Sequence, residues 1–177
     1  WSATGLFYKL FKRLIQNADT EWVSIDATHI RAHQSSAGAV GGGDQSIAKS
    51  IGGNSSKIHL AVDAHGNPLE FLVGDGITHD IKIAPMLLQL LDLKDTEFLN
   101  ADKGYDSEEF RNLAYSKGVR ANIPRKKNAR TSNSHMDWLI YQARHVVENT
   151  FANLKHYRAL SSRYDKLLSS YISTVAL

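Results

Sequence analysis

Tyr141, Arg144, Glu148 and Lys155 lie within YQARHVVENTFANLK, residues 141–155, at steps of three, four and seven. At 3.6 residues per turn, those steps put all four on one narrow helical stripe. Val146, Val147, Phe151 and Leu154 fall on the other side, with Leu139 and Ile140 just upstream, so the helix has a face to bury. Two further carboxylates stand where strands usually avoid them: Asp26 inside WVSIDATHI and Asp102 at the end of EFLNADKGYD. If Asp26, Asp102 and Glu148 converge, they offer the hard oxygen ligands that Mg²⁺ or Mn²⁺ takes. Two such ions about 3.5–4 Å apart can clamp the attacking and leaving oxygens of a phosphodiester. The protein then contributes mainly positioning and charge stabilisation.

Each carboxylate also has a purely structural reading. Asp26 could bond a nearby backbone amide, Asp102 could form the turn before KGYD, and Glu148 could pair with Arg144 at (i, i+4). Asp63, Asp75, Asp80 and Asp106 are rival acids. Asp63 precedes a hairpin turn, and Asp80 is placed to cap a helix over residues 81–92, with His79 beside it.

These residues need a scaffold. GLFYKLFKRLIQ repeats apolar residues at helical spacing, and EWVSIDATHIRAH alternates like a strand. Residues 34–56 hold half of the glycines and no aromatic residue, which predicts a long mobile loop. KIHLAVDAHGNPLEFLVGD reads as a hairpin turning at HGNP. A helix, a short strand through EFLNA, a helix capped by Ser107 and stopped by Gly118, and a strand through VRANIP follow. RKKNARTSN is a basic loop, DWLIYQARHVVENTFANLKHYRAL one long helix, and DKLLSSYISTVAL another. A meander of strands that gives way to alternating helices and strands predicts an α/β mixed sheet covered by helices.

Composition narrows the function classes. The 177 residues suit one domain. No apolar run approaches the roughly 20 residues of a membrane span, and the absence of cysteine excludes disulfides and thiolate metal sites. Charge is uneven: residues 1–119 carry 11 Lys/Arg against 15 Asp/Glu, residues 120–177 carry 10 against 3. A basic final third suggests a polyanion partner, although a solvated basic surface has the same composition. The chain opens on Trp1 rather than Met, so a fragment, a processed product or part of an interrupted reading frame is expected.

YQARHVVENTFANLK fits Tyr-x(2)-Arg-x(3)-Glu-x(6)-Lys at every fixed position and resembles the YREK motif of DDE transposases from bacterial insertion sequences. SIDATHIRAHQ, SSKIHLAVDAHGNPL and ADKGYDSEEFR resemble the first catalytic strand, the hairpin and the second catalytic segment of the insertion-sequence-five group. IPRKKNAR and LSSRYDK resemble its basic loop and tail. The resemblance implies an RNase H-like fold, with Asp26, Asp102 and Glu148 as the metal-ligating catalytic triad. It implies that Tyr141, Arg144 and Lys155 hold transposon-end phosphates, helped by Lys103 and by Arg125, Lys126, Lys127 and Arg130. The 46 positions from Asp102 to Glu148 leave no room for the inserted β-domain of some related transposases. Residues 1–21 are expected to be a helix left from an upstream region, and residues 22–177 the catalytic domain.

The expected activity is Mg²⁺- or Mn²⁺-dependent hydrolysis and strand transfer on double-stranded DNA, with self-association on DNA, in the bacterial cytoplasm at the nucleoid. An inactive DNA-binding remnant and a structure-specific nuclease on the same fold are the alternatives. The intact triad argues against the first, and the YREK stripe against the second.

Overall fold

The computed structural model describes residues 2–15, 18–39, 43–127, 129 and 131–177. The strands are β1 (Trp22–Ala32), β2 (Ala48–Ser50), β3 (Gly53–Val62), β4 (Pro68–Asp75), β5 (Phe98–Asn100), β6 (Arg120–Asn122) and β7 (Ser162–Arg163). The helices are α1 (Leu6–Leu14), α2 (Asp80–Leu90), α3 (Glu108–Ser116), α4 (Trp138–Gln142), α5 (His145–His156), α6 (Arg158–Ser161) and α7 (Leu168–Ala176).

All seven strands join one mixed sheet. Its spine runs β3-β1-β5-β6, with β2 and β4 both on the far edge of β3 and β7 on the end of β1. β3 runs antiparallel to β1 and β4, while β5 and β6 are parallel to β1. The hairpin forms as its turn residues require. Gly66 adopts φ +86°, and the buried Asp63 carboxylate accepts from the amides of His65 and Asn67 at 2.9 and 2.8 Å.

The pleat sends successive β1 residues to opposite faces. Val23 and Ile25 enter one core with Ala84, Leu87 and Leu88 of α2 and Phe110 and Ala114 of α3. Ile30 enters the other with Ile58, Leu60, Phe71, Val147 and Phe151 of α5 and Tyr171 of α7. Asp26 and Thr28 therefore share the α5 face of the sheet. The helix α1 packs its Tyr8 and Phe11 against Phe71, and Lys12 pairs with the buried Glu70 at 3.0 Å.

The expected long helix over residues 137–160 is three segments. Between α4 and α5 the backbone stays right-handed but tightens, and the amides of Ala143, Arg144, Val146 and Val147 bond the carbonyl three residues back. Tyr157, at ψ 116°, then separates α5 from α6. Leu139, expected on the buried side, is 80% exposed because the short α4 turns it away from the core. Residues 34–56 are more ordered than their glycines suggest: β2 and the start of β3 pair within them, Ala48 opposite Ser55. Asp80 is the first residue of α2 rather than its cap, and its carboxylate receives the buried Lys57 ammonium at 2.9 Å. Ser107 stands at the N-cap of α3 without a side-chain capping bond.

Candidate active site

Asp26 and Asp102 meet through sheet register. β1 and β5 pair in parallel as Trp22–Phe98, Val23–Leu99 and Ser24–Asn100. Two residues further along each chain are Asp26 and Asp102, at the same level on the α5 face. Asp26 lies mid-strand, and its Oδ1 accepts from its neighbour Ala27 N–H at 2.8 Å. Asp102 caps a single 3₁₀ turn, accepting from Gly104 N–H at 2.7 Å. The structural readings of both residues are thus correct as far as they go, and each uses only one carboxylate oxygen.

The stripe of α4 and α5 faces these carboxylates. Arg144 reaches Asp26 Oδ2 with Nη1 at 3.4 Å and Glu148 Oε1 with Nη2 at 2.6 Å. Its guanidinium lies 5.8 Å from the centroid of the Tyr141 ring. Further along the sheet, Lys155 Nζ donates to Thr28 Oγ1 at 2.6 Å. Glu148 stands in the first turn of α5, where the helix dipole favours a carboxylate. Arg144 and Lys155 therefore reach β1 directly, and Tyr141 and Glu148 flank Arg144, with Glu148 and Lys155 still open to solvent.

Electrostatics tie the three acids together. Burial pushes the Asp26 carboxyl up to about 6; the Ala27 amide and Arg144 pull it down, and Asp102 and Glu148 push it up again. Burial works against the Arg144 charge, but Asp26 and Glu148 more than offset it, leaving its pKa above the usual value. Burial, then Asp26, raises the hydroxyl pKa of Tyr105 far above the ordinary phenol range.

Among the described residues, no three Asp, Glu or His side chains close tightly enough to form a complete metal cage. The donors nevertheless suit a hard divalent cation: hard oxygens on adjacent strands and a facing helix, with a guanidinium standing where positive charge is needed.

The rival acids are spent elsewhere. Asp75 binds the amides of Ile77 and Thr78, Asp63 holds the hairpin turn, and Asp80 holds Lys57. Asp106 pairs with Arg111 at 2.9 Å and with Arg125 at 3.4 Å. Arg125, expected among the polyanion contacts, also pairs with Glu108 and is only 17% exposed. Lys126 directs its ammonium to the Asp106 carbonyl at 3.2 Å but is exposed, as are Lys127 and Lys103. Arg130 lies outside the described residues.

Two positioning residues escape a reading by motif. Asn100 and Asn122 face each other across β5 and β6. Asn122 Nδ2 donates to Asn100 Oδ1 and to the Asp137 carbonyl, both at 2.9 Å, and its Oδ1 accepts from Asp137 N–H at 3.0 Å. Asn100 Nδ2 reaches the Ile140 carbonyl at 3.3 Å. This buried amide pair fastens the start of α4 to the sheet one register step before Asp102. The only sequence signal was an asparagine inside each of two short strands. On α5, Thr150 Oγ1 donates to the Gly66 carbonyl at 2.7 Å, seating the hairpin turn against the helix.

Solved structures of similar fold define the fold class. The chain matches the simian T-cell lymphotropic virus intasome, solved in complex with PP2A regulatory subunit B56 gamma, at TM-score 0.55 and 16% identity, covering 90% of this chain and 48% of that one. It matches the catalytic core domain of BIV integrase at TM-score 0.51 and 17% identity, covering 89% and 81%. The fold is RNase H-like. Residues 17–172 match the family model described as Transposase DDE domain, and the chain belongs to that family. A Brucella ovis protein assigned as transposase for insertion sequence element IS6501 is 34% identical over 123 residues, 69% of this chain and 92% of that protein. A Burkholderia cepacia protein assigned to element IS402 is 29% identical, and the match spans only 54% of its length. The chain is thus the catalytic domain of a bacterial insertion-sequence transposase, a nucleic-acid-cleaving and -transferring enzyme. Among the described residues, no helix is long and apolar enough to cross a membrane.

Proposed function

We propose that Asp26, Asp102 and Glu148 are the catalytic, metal-ligating residues, and that the reaction is phosphodiester hydrolysis at the ends of an insertion sequence followed by strand transfer into target DNA. The observation that carries this reading is the coincidence of three carboxylates from β1, the end of β5 and α5 on one face of the sheet. Asp26 and Asp102 share a register level there, and one guanidinium links Asp26 to Glu148. Bound Mg²⁺ or Mn²⁺, as a pair, supplies Lewis-acid stabilisation of charge on the phosphoryl oxygens.

The chain's own residues do the rest. Asp26 and Asp102 are held by local amide bonds that fix their carboxyl planes. Tyr141, Arg144 and Lys155 line the route along β1 and hold DNA phosphates beside the carboxylates. Lys103, Lys126 and Lys127 add exposed positive charge, with salt-sensitive and sequence-independent affinity. Arg125 supports that surface from beneath through Asp106 and Glu108. The motif steps at 141–155 support membership of the insertion-sequence-five group. Double-stranded DNA is the partner, two copies assemble on paired ends, and the setting is the bacterial nucleoid.

Nicking of supercoiled plasmid in Mn²⁺ tests the triad without requiring recognition of specific ends. Asp26→Asn, Asp102→Asn and Glu148→Gln should each lower the rate at least a hundredfold, while Lys94→Ala, on an exposed lysine outside the site, keeps it within a fewfold of wild type. Nicking that survives all three substitutions would remove these residues from catalysis.

A further inference from the structure

The position of Arg144 is at odds with a simple phosphate clamp. Its fork is already engaged: Nη1 on Asp26 at 3.4 Å and Nη2 on Glu148 at 2.6 Å. Asp26 Oδ1 is committed to the Ala27 amide, so Arg144 takes the remaining oxygen, Oδ2. Two of its five N–H donors are taken by carboxylates, so the Nη1–Nη2 fork is not free to grip a phosphate while it bridges them. While the fork spans them, Asp26 Oδ2 and Glu148 Oε1 each offer a divalent ion only a second lone pair, beside a positive charge that opposes it.

The contact is also built to be reversible. Its longer arm, at 3.4 Å, is near the limit of a hydrogen bond, and its shorter arm ends on a Glu148 side chain that is 54% exposed, where pairing is worth little. Arg144 stands at the tightened junction of α4 and α5, and a change of side-chain rotamer suffices to move its fork without moving either helix. The Tyr141 ring centroid lies 5.8 Å from the guanidinium, within reach of a cation–π contact.

We propose that Arg144 is a placeholder cation: it bridges Asp26 and Glu148 until a divalent ion is bound, and then gives its guanidinium to a DNA phosphate. This rests on the reading of Asp26, Asp102 and Glu148 as metal ligands. The placeholder keeps clustered carboxylates compatible with folding when no ion is bound. It also couples ion binding to DNA binding, because each releases Arg144 for or from the other, and such coupling is reciprocal.

Mn²⁺ binding by the full chain, read from the loss of the free-ion electron paramagnetic resonance signal, tests this without any activity measurement. Arg144→Gln should bind Mn²⁺ at least tenfold more tightly than wild type. Arg144→Lys keeps the charge but cannot fork across both carboxylates, so it should show an intermediate gain, and it serves as the folded control if the glutamine variant melts below the working temperature. Equal or weaker binding in both variants would overturn the placeholder. A gain in Arg144→Gln with none in Arg144→Lys would overturn it too, because the effect would then be plain charge repulsion. In either case, loss of binding on adding Asp26→Asn would leave the triad standing. Binding that is indifferent to Asp26→Asn, or absent at millimolar Mn²⁺ in every variant, would instead remove the triad, and the proposal with it.

Discussion

Asp26 carries opposing demands. Its carboxylate must be ionised to hold a cation, yet burial raises its pKa from 3.8 to about 6. In the metal-free protein the folded state therefore binds this proton more tightly than the unfolded chain does. Stability tied to this group is full below pH 3.8 and is lost as pH rises toward 6. Asp26→Asn removes that cost, so above pH 6 and without metal the variant should be more stable than wild type by about 1–3 kcal/mol. Urea unfolding at pH 7.5 in a chelator checks this; a variant less stable than wild type would show that Asp26 is satisfied as an anion. The side chain that weakens the resting fold is then the one the reaction needs.

At the scale of elements, the carboxylates depend on how α4 and α5 are fastened. The Asn100–Asn122 pair ties α4 to the sheet with its amide groups, and Thr150 ties α5 to Gly66. Asn122→Ala would leave Asn100 Oδ1 and both backbone groups of Asp137 without their partner, costing about 2 kcal/mol or more. It should also lower Mn²⁺ affinity, since Asn100 stands two residues before Asp102 and the anchored α4 leads into the helix that carries Glu148. A calorimetric melt with a metal titration checks both, and unchanged values would make the pair incidental.

Much of this scale was legible in the sequence. Alternation in WVSIDATHI and the HGNP turn specified β1 and the hairpin, and helical steps of three, four and seven specified the face that carries Glu148. The division of the long helix was not legible, because the tightened turn at 143–147 follows from docking against β1 and β5 rather than from a helix breaker. Nor was the pairing of β2, whose polar residues gain order only from the β3 edge. The site was legible as a set of residue types, while its register was not: only the parallel pairing of β1 with β5 brings Asp26 level with Asp102.

At the scale of the molecule, charge separates into structural and available parts. Arg125 is held by Asp106 and Glu108, whereas Lys126 and Lys127 are exposed. Lys127→Ala should reduce the slope of log K against log salt for duplex DNA by about one, with the melting temperature unchanged. Arg125→Ala should instead lower stability by about 0.5–1 kcal/mol with little change in that slope, because it removes the pair with Glu108 and the longer contact to Asp106, while Arg111 and the Lys126 amide still hold Asp106. Binding isotherms at several salt concentrations, paired with thermal melts, separate the two; equal slopes for wild type and Lys127→Ala would contradict this division.

The most direct test of the catalytic triad is anomalous diffraction from crystals soaked in tens of millimolar Mn²⁺, wild type beside Asp102→Asn. The expected result is a manganese peak between Asp26 and Asp102 with Glu148 alongside and Arg144 swung away, and no peak in the variant. A wild-type crystal with no manganese there and Arg144 still bridging Asp26 and Glu148, or a peak that survives Asp102→Asn, would contradict the assignment of these carboxylates as the metal site.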